Sequence, residues 1–383
     1  MMRSPVNPNK VLAVVAALVF IWFVYRLSDA HLYTDDEPPP PPPPQEPGPR
    51  PPMSSQWNHG PPEDLPANNA TDIRVYEGKA AEDYCERYRF KPFDPERVGR
   101  RKIYDLLLIN TEIEMLEVRI GEMYPYVDYF IIMEADVTFT GNAKKLYIAE
   151  NWDIYAKYHD KMIRRTVDFS ELKENPNAWA REELSRNAMM TQVLPFLEGD
   201  QAPSEDDVLL VSDVDEIPKP AVLEALRNCE VPLRITINSD FYYYSFEWLS
   251  REEWKSPQAT LWRGKETIQP NDLRIDADDY YFKHGAWHCS YCFSTMEETV
   301  GKVNSFSHQE LNKPEFKDPK KILQRVRFGK DFFDRKNNLF DYVAPNHNIP
   351  SFLKHNQDRF GFMLDRTPPN ANFRDIPLDG NLE

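Results

Sequence analysis

The sequence predicts an α/β domain with a mostly parallel sheet, placed behind an amino-terminal transmembrane helix and a proline-rich stem. Apolar runs of strand length alternate with stretches of helical spacing, a separate apolar run lies near the amino terminus, and prolines are concentrated behind that run. The 383 residues are 41% hydrophobic and 13% aromatic, enough for a large core. A net charge of −16 argues against a nucleic-acid partner.

The amino-terminal apolar run covers residues 11–25 and has basic residues on both sides. Such a run can span a thin bilayer, and the basic head predicts an uncleaved anchor at 11–27 with a cytoplasmic segment at 1–10. A cleaved signal peptide is the alternative. The rest of the chain is then expected in a lumen.

Residues 28–75 are predicted to form the stem. Fourteen prolines lie between residues 37 and 67, seven of them in a row, and such a segment is extended and packs no core. Asn69 begins a glycosylation sequon in this exposed place.

The four cysteines are expected to form two disulfides, because their number is even and a lumen is oxidising. Of the three possible connectivities we favour a local Cys289–Cys292 bridge and a long-range Cys85–Cys229 bridge. A zinc site at the Cys-x-x-Cys pair is the alternative, although it lacks a second such pair.

The catalytic-type domain is expected at residues 76–365, followed by a loose tail at 366–383. Strands are predicted at 103–110, 127–134, 162–167, 208–211, 233–238 and 241–246, and helices at 112–124, 178–197 and 221–227. This alternation predicts βαβ units and therefore parallel strands.

An acidic stretch follows the apolar strand at 208–211, and Pro218 ends it. Open α/β sheets bind ligands at the carboxyl ends of their strands. Asp213 and Asp215 are two residues apart, so both can reach one Mg²⁺ or Mn²⁺ ion, which in turn suits a diphosphate. An isolated Asp-x-Asp is more often a solvated loop, whereas the preceding strand favours a metal site.

Charged residues on the helix before this strand could face the same edge of the sheet. Arg181 or Arg186 would offer a guanidinium to a phosphate, and Glu182 a carboxylate that orients the metal site. The alternative is a solvated face with i,i+4 ion pairs. His288 and His308 are candidates to complete the metal or diphosphate site, although histidines are more often structural.

A cluster of aromatic residues follows the acidic stretch. It is either core or a platform on which the apolar face of an acceptor sugar stacks. Its members are Tyr242, Tyr243, Tyr244, Phe246, Trp248, Trp254 and Trp262.

Two motifs together resemble glycosyltransferase family 17. They are Val-Ser-Asp-Val-Asp-Glu-Ile-Pro around Asp213 and, about seventy residues later, Gly-Ala-Trp-His-Cys-Ser-Tyr-Cys-Phe from Gly285. The strand and helix at 103–124 and the His-Asn-Gln-Asp-Arg-Phe stretch at 355–360 are also similar to that family. The resemblance covers about residues 103–364.

The resemblance implies a Rossmann-like GT-A fold, UDP-N-acetylglucosamine as donor, a divalent cation and inversion at the anomeric carbon. It further implies transfer to a mannose of an N-glycan in a bisecting-type β-1,4 linkage, by a type II Golgi membrane protein with a lumenal catalytic domain. The stem and the charged helix depart from the family pattern, and residues 242–262 match it only loosely. The acceptor is therefore less well indicated than the donor.

In this mechanism Asp213 and Asp215 hold Mn²⁺ or Mg²⁺ against the diphosphate, and His288 positions the donor. Inversion also needs a carboxylate base that takes the proton of the acceptor hydroxyl. The candidates are Glu216, Asp240, Glu247 and Glu310, of which we favour Glu247.

Two other classes of function are compatible with parts of the sequence. A haloacid-dehalogenase-type phosphatase also carries a strand followed by Asp-x-Asp, but that strand normally opens the domain. A glycan-binding protein without catalytic activity would use the aromatic residues and a bound ion for binding alone.

Overall fold

A computed structural model describes residues 75–94, 96, 100–275 and 280–382, which belong to one structural unit, residues 64–383. In these residues no helix is both long and apolar enough to cross a membrane. The predicted anchor, the stem as far as residue 74 and the sequon at Asn69 lie outside the described residues. The anchor and the bounds of the stem therefore stay predictions.

The first half of the domain alternates strands and helices, as the apolar pattern predicts. Its strands are β1 (Ile103–Ile109), β2 (Tyr129–Glu134), β3 (Met162–Thr166), β4 (Val208–Val211) and β5 (Glu216–Pro218), and its helices are α1 (Gly78–Glu86), α2 (Ile113–Met123), α3 (Tyr147–Glu150), α4 (Ala178–Ala188) and α5 (Pro220–Asn228). Strands β3, β2, β1 and β4 lie side by side in this order, and each neighbouring pair is parallel. The α/β class is thereby confirmed.

This parallel part of the sheet is buried on both faces. Leu107 of β1 packs in one core with Leu116 of α2, whereas Leu106 packs in a second core with Met189, which follows α4. A strand covered on both faces is apolar along nearly its whole length, which explains why these strands appear in the sequence as unbroken apolar runs.

The second half of the domain adds antiparallel strands. Its strands are β6 (Arg234–Tyr243), β7 (Ser245–Ser250), β8 (Gln258–Leu261), β9 (Tyr281–Ser290) and β10 (Phe340–Tyr342), and its helices are α6 (Pro270–Ile275), α7 (Met296–Ser305), α8 (Pro319–Phe328), α9 (Ser351–His355) and α10 (Gln357–Phe360). The sheet continues from β4 through β8, β6 and β7 to β10 with antiparallel pairs. Strand β9 is parallel to β6 and antiparallel to β5.

Two predicted boundaries are wrong. Strand β6 runs without a break from the strand expected at 233–238 into the first half of the one expected at 241–246. The chain reverses at Tyr244, whose φ is +66°, and residues 245 and 246 begin β7. Of the helix expected at 178–197, only the part up to Ala188 is α-helical. A π turn and a short 3₁₀ turn follow it. Pro195, in that last turn, has no N–H for a helical hydrogen bond.

The segment after residue 365 is not the loose tail that was expected. Arg366 is fully buried, and its guanidinium donates to the backbone carbonyls of Tyr244, Phe293 and Ala371. Phe373 is buried in the third core. This segment therefore packs as part of the domain.

Both favoured disulfides are confirmed. Cys85–Cys229 joins α1 to the residue after α5 across a sequence separation of 144 residues. Cys289–Cys292 bridges the end of β9 and the turn that follows it.

Candidate active site

A buried arginine shapes the acidic loop that follows β4. The guanidinium of Arg119, on α2, is fully buried and pairs with the Asp105 carboxylate of β1 at 2.6 Å. It also donates to the hydroxyl of Ser212 and to the backbone carbonyls of Asp213 and Glu216, at 2.6, 3.0 and 2.6 Å. A single side chain thus fixes the backbone of the whole loop against β1 and α2.

A cavity of about 850 Å³ opens at this loop. Its lining includes Asn110 after β1, Ala135 after β2, and Asp213 and Asp215 after β4, so it lies at the carboxyl edge of the parallel strands. Strand β1 has β2 on one side and β4 on the other, so the strand order reverses there. Such switch points are the usual ligand sites of α/β sheets.

Two arginines hold the carboxylate of Asp213. Arg186 Nη2 lies 3.1 Å from Oδ1, and Arg274 Nη2 lies 2.8 Å from Oδ2. Burial raises the pKa of Asp213, but the two guanidinium groups outweigh this and leave the pKa below its ordinary value. The side chain is still 42% exposed toward the cavity, so it is accessible to a ligand.

Asp215 is held by a lysine and a histidine. Lys302 Nζ donates to Oδ2 at 2.9 Å, and His288 Nε2 lies 3.7 Å from Oδ1. Burial again raises the pKa of the carboxyl, and Lys302 and His288 together bring it well below its ordinary value. Both aspartates are therefore ionised at neutral pH.

Glu216 lies beneath the loop. Its carboxylate accepts hydrogen bonds from the backbone N–H of Asp213 at 2.7 Å and from the indole of Trp254 at 2.5 Å. Arg274 pairs with the same carboxylate. Glu216 is fully buried, so its role is to position Arg274 and the loop.

The ring of His288 is packed between two aromatic side chains at the cavity wall. It stacks on Phe241 with centroids 4.6 Å apart and contacts Trp254 at 4.7 Å. Its Nδ1 has no hydrogen-bond partner among the described residues, although the atom is buried. The ring orientation is therefore set by packing and by Asp215.

This acidic loop, and the Trp-His-Cys strand beside it, lie within the segment that matches a known family. The model of glycosyltransferase family 17 matches residues 60–367. The chain belongs to glycosyltransferase family 17. The predicted membership is thereby confirmed.

Three relatives carry the name beta-1,4-mannosyl-glycoprotein 4-beta-N-acetylglucosaminyltransferase. The human protein is 21% identical over 314 residues, and the rat and mouse proteins are each 22% identical over 316 residues. Each match covers 71% of this chain and 56% of the relative. The chain therefore spans little more than half the length of these relatives.

Most of the site residues predicted for this family 17 chain border the same cavity. These are Glu182, Arg186, Asp213, Asp215, His288 and His308. Glu182 accepts from Arg186 Nη1 at 2.8 Å and also from the hydroxyl of Ser307, so it positions Arg186. His308 lies at the rim, where Glu310 pairs with its Nδ1 at 2.8 Å.

Arg181 is not among the residues that line the cavity. Its guanidinium donates to the backbone carbonyls of Phe139 and Pro176, at 3.1 and 2.9 Å. It also packs so closely against Gly141 that a Cβ added to this glycine would lie 2.8 Å from Nη2. Arg186 is therefore the arginine of α4 that reaches the acidic loop.

The four candidates for the general base are also absent from the cavity lining. Glu247, which the sequence favoured, is buried elsewhere and accepts from the backbone N–H of Arg366 at 2.6 Å, and its burial raises its pKa. Asp240 pairs with Lys219 at 2.7 Å. Glu216 and Glu247 are buried away from the cavity, whereas Glu310 is exposed at its rim beside His308.

The aromatic cluster proves to be mainly core. Exposure is 8% or less for Tyr242, Tyr243, Tyr244, Phe246 and Trp248. Trp254 and Trp262 are partly buried, and Trp254 lines the cavity. A more exposed aromatic at the cavity is Trp179, which is 50% exposed and contacts His308 edge-to-face at 4.8 Å.

Sequence reasoning missed three cations of the site. Arg119 and Arg274 stand in no motif, because each acts through contacts with residues far away in the chain. Lys302 lies on α7 and likewise stands in no motif. Its place on α7 gave no sign that it would reach Asp215.

The side chains at the acidic loop are of the type that binds a divalent cation. No group of three histidine, cysteine, aspartate or glutamate side chains converges on a metal position in the described part of the chain. Mg²⁺ and Mn²⁺, however, are commonly held by one or two carboxylates together with substrate phosphates and water. Asp213 and Asp215 offer that pair, although both already contact cationic side chains.

Proposed function

We propose that this chain transfers N-acetylglucosamine from UDP-N-acetylglucosamine to a mannose of an N-glycan, in a β-1,4 linkage of the bisecting type. The observation that carries the proposal is the pair of ionised aspartates at the β1/β4 switch point, ringed by Arg186, Arg274 and Lys302 at the edge of a large cavity. Carboxylates for a cation beside basic groups for phosphates are what a nucleoside-diphosphate sugar requires. Family membership and the names of the relatives support the donor and the acceptor.

Asp213 and Asp215 would hold Mn²⁺, or Mg²⁺. Such an ion supplies neutralisation of the charge that develops on the departing diphosphate. Arg274 and Arg186 keep Asp213 ionised and in place, Lys302 and His288 do the same for Asp215, and these side chains border the cavity. We further propose that the domain has the GT-A architecture, which the switch-point location supports.

We place the acceptor glycan at the rim of the cavity, beside Trp179. The indole is half exposed, and His308 fixes it from one edge. Sugar rings present apolar faces that stack on such side chains. The acceptor would then lie at the amino end of α4, while Arg186, about two turns further along, contacts Asp213.

We propose that the general base is a carboxylate of the cavity wall that Arg186, Arg274 and Lys302 do not engage. Glu183 and Glu252 are exposed side chains in that lining. Replacing the true base by glutamine is expected to lower kcat by about 10²–10⁴. If turnover is unchanged in Glu183→Gln and in Glu252→Gln, neither residue is the base.

We propose that the protein is a single-pass type II Golgi membrane protein with a lumenal catalytic domain. The apolar run at 11–25, the proline-rich stem and the two disulfides support this placement, since disulfides persist in oxidising compartments. Microscopy of the tagged full chain, with protease protection of isolated membranes, tests it. Protection of the carboxyl terminus is expected, and its digestion in sealed vesicles would contradict the orientation.

The function is tested by UDP release from the purified chain with Mn²⁺, several UDP-sugars, and N-glycan acceptors present or absent. Turnover restricted to UDP-N-acetylglucosamine and lost in chelator or in Asp213→Ala is the expected result. Analysis of the product linkage then tests the β-1,4 assignment. Glycan binding without any use of a UDP-sugar would instead identify a glycan-binding protein.

A further inference from the structure

The basic side chains around Asp213 and Asp215 differ in how many carboxylates hold them. Arg186 bridges Asp213 to Glu182 at 2.8 Å, and Arg274 bridges Asp213 to Glu216. Each arginine therefore has two carboxylate partners, one of which lies outside the pair. Neither is free to leave when the charge at Asp213 is neutralised.

Lys302 is held by a single carboxylate. Asp215 is the only ion-pair partner of its Nζ within the described part of the chain, at 2.9 Å. The ring centroids of Tyr291 and Phe293 lie 5.4 and 5.5 Å from Nζ, and the Glu112 carboxylate attracts the ammonium through space without forming an ion pair with it. The side chain is 22% exposed and borders the cavity, and a lysine ammonium on its four-carbon stem reorients readily.

We propose that Lys302 is an exchangeable counter-ion, which competes with the divalent cation for Asp215 and moves onto the nucleotide diphosphate when the cation binds. This inference rests on the proposed function. The ammonium donates to Oδ2 of Asp215, one of the few oxygens that the pair can offer a metal ion. A dication at that oxygen repels the ammonium, whereas a diphosphate in the cavity offers it a new anionic partner.

The exchange makes cation and nucleotide binding cooperative. Without a diphosphate, displacing Lys302 from Asp215 costs part of the cation's binding energy. With a diphosphate present, the ammonium gains a partner and that cost falls. By linkage, the nucleotide strengthens cation binding by the same factor as the cation strengthens nucleotide binding.

The test measures two dissociation constants for the full chain. That of Mn²⁺ comes from the electron paramagnetic resonance signal of free Mn²⁺ with and without UDP, and that of UDP comes from titration calorimetry with Mn²⁺ present. Lys302→Met is compared with Lys302→Gln, which retains a hydrogen-bond donor for Asp215. Lys321→Met, at an exposed position of α8, is the control for loss of one positive charge. Thermal unfolding of each variant establishes that it is folded.

We expect both Lys302 variants to bind Mn²⁺ alone about tenfold more tightly than the unmodified chain, and UDP with Mn²⁺ about tenfold more weakly. The strengthening of Mn²⁺ binding by UDP then shrinks, whereas Lys321→Met leaves all three quantities unchanged. A lysine that stayed fixed beside Asp215 would also weaken Mn²⁺ binding by its charge, but its removal would leave the strengthening of Mn²⁺ binding by UDP unchanged.

Two results overturn the inference in distinguishable ways. If the unmodified chain binds Mn²⁺ with UDP but the Lys302 variants show unchanged affinities, or Lys321→Met shifts them equally, the exchange is refuted and the proposed function stands. If the unmodified chain binds no divalent cation even with UDP, the metal site of the proposed function is refuted and the exchange with it.

Discussion

At the scale of single residues, two basic side chains contact the carboxylate of each aspartate in the site. Asp213 has Arg186 and Arg274, and Asp215 has Lys302 and His288. Buried carboxylates stay ionised only with such partners. The arrangement explains why two acidic side chains two residues apart can share one loop.

The residue that we expect to determine acceptor binding is Trp179. Trp179→Ala should raise the KM for a glycan acceptor roughly tenfold, the equivalent of about 1.4 kcal/mol of lost stacking, because the exposed indole offers the sugar an apolar face. Hydrolysis of UDP-N-acetylglucosamine without acceptor should stay unchanged. Steady-state kinetics with varied acceptor measure both.

Phe196→Ala is the matched control, since Phe196 is 73% exposed and does not line the cavity. Trp179→Phe should retain most of the acceptor affinity. An unchanged acceptor KM in Trp179→Ala would place the acceptor elsewhere.

At the scale of elements, Arg119 links β1, α2 and the acidic loop. Arg119→Met leaves Asp105 buried without its partner and releases the carbonyls of Asp213 and Glu216. We expect the free energy of unfolding to fall by about 3–5 kcal/mol, as for other broken buried ion pairs. Denaturant titration measures it, and the exposed Arg165 on β3, changed to Met, is the control.

The double variant Asp105→Asn with Arg119→Met should lose less stability than the two single losses added together. The reason is that the buried uncompensated charge is then absent. A strictly additive loss would show that the pair is not coupled.

Strand β6 carries a largely buried carboxylate, Asp240, on which the stability of the domain is expected to depend as pH changes. Burial raises the pKa of Asp240, but hydrogen bonds from Lys219, Asn348 and His284 outweigh it and lower the pKa below its ordinary value. A lowered folded-state pKa gives stability that is present above the unfolded-state pKa and lost as pH falls through the folded-state value.

Asp240→Asn should therefore lower the free energy of unfolding at about pH 6, and the difference from the unmodified chain should narrow below about pH 4. Denaturant titrations at several pH values measure this difference. Asp153→Asn, at an exposed position, provides the comparison. A difference that is independent of pH would show that the effect is not ionic.

At the scale of the whole molecule, the Cys85–Cys229 bridge closes a loop of 144 residues that contains the parallel half of the sheet. Replacing both cysteines by serine should lower the free energy of unfolding by about 4–5 kcal/mol, because the unfolded chain gains the entropy of an open loop. The same replacement at Cys289 and Cys292, three residues apart, should cost less. Equal losses in denaturant titrations would contradict this account.

Local pattern was enough to predict the elements around the acidic loop. The four apolar residues of β4 and the proline after them predicted that Asp213 and Asp215 lie at a strand end. Neighbouring residues alone indicate both that a strand is buried and where it ends. Both disulfide pairings and the family could also be inferred from the chain. The boundaries around Tyr244 and Ala188 could not, because a left-handed residue and a π turn leave no periodic signal.

Which side chains contact each other, and which are buried, could be determined only from the folded chain. Arg181 and Arg186 are five residues apart on one helix, so their directions differ, but periodicity does not say which of them faces the loop. Likewise, Glu247 and the tyrosines of β6 could have faced a ligand or a core. Which side chains meet Asp213, Asp215 and Trp179 depends on contacts between segments distant in sequence, and such contacts arise only when the sheet brings those segments together.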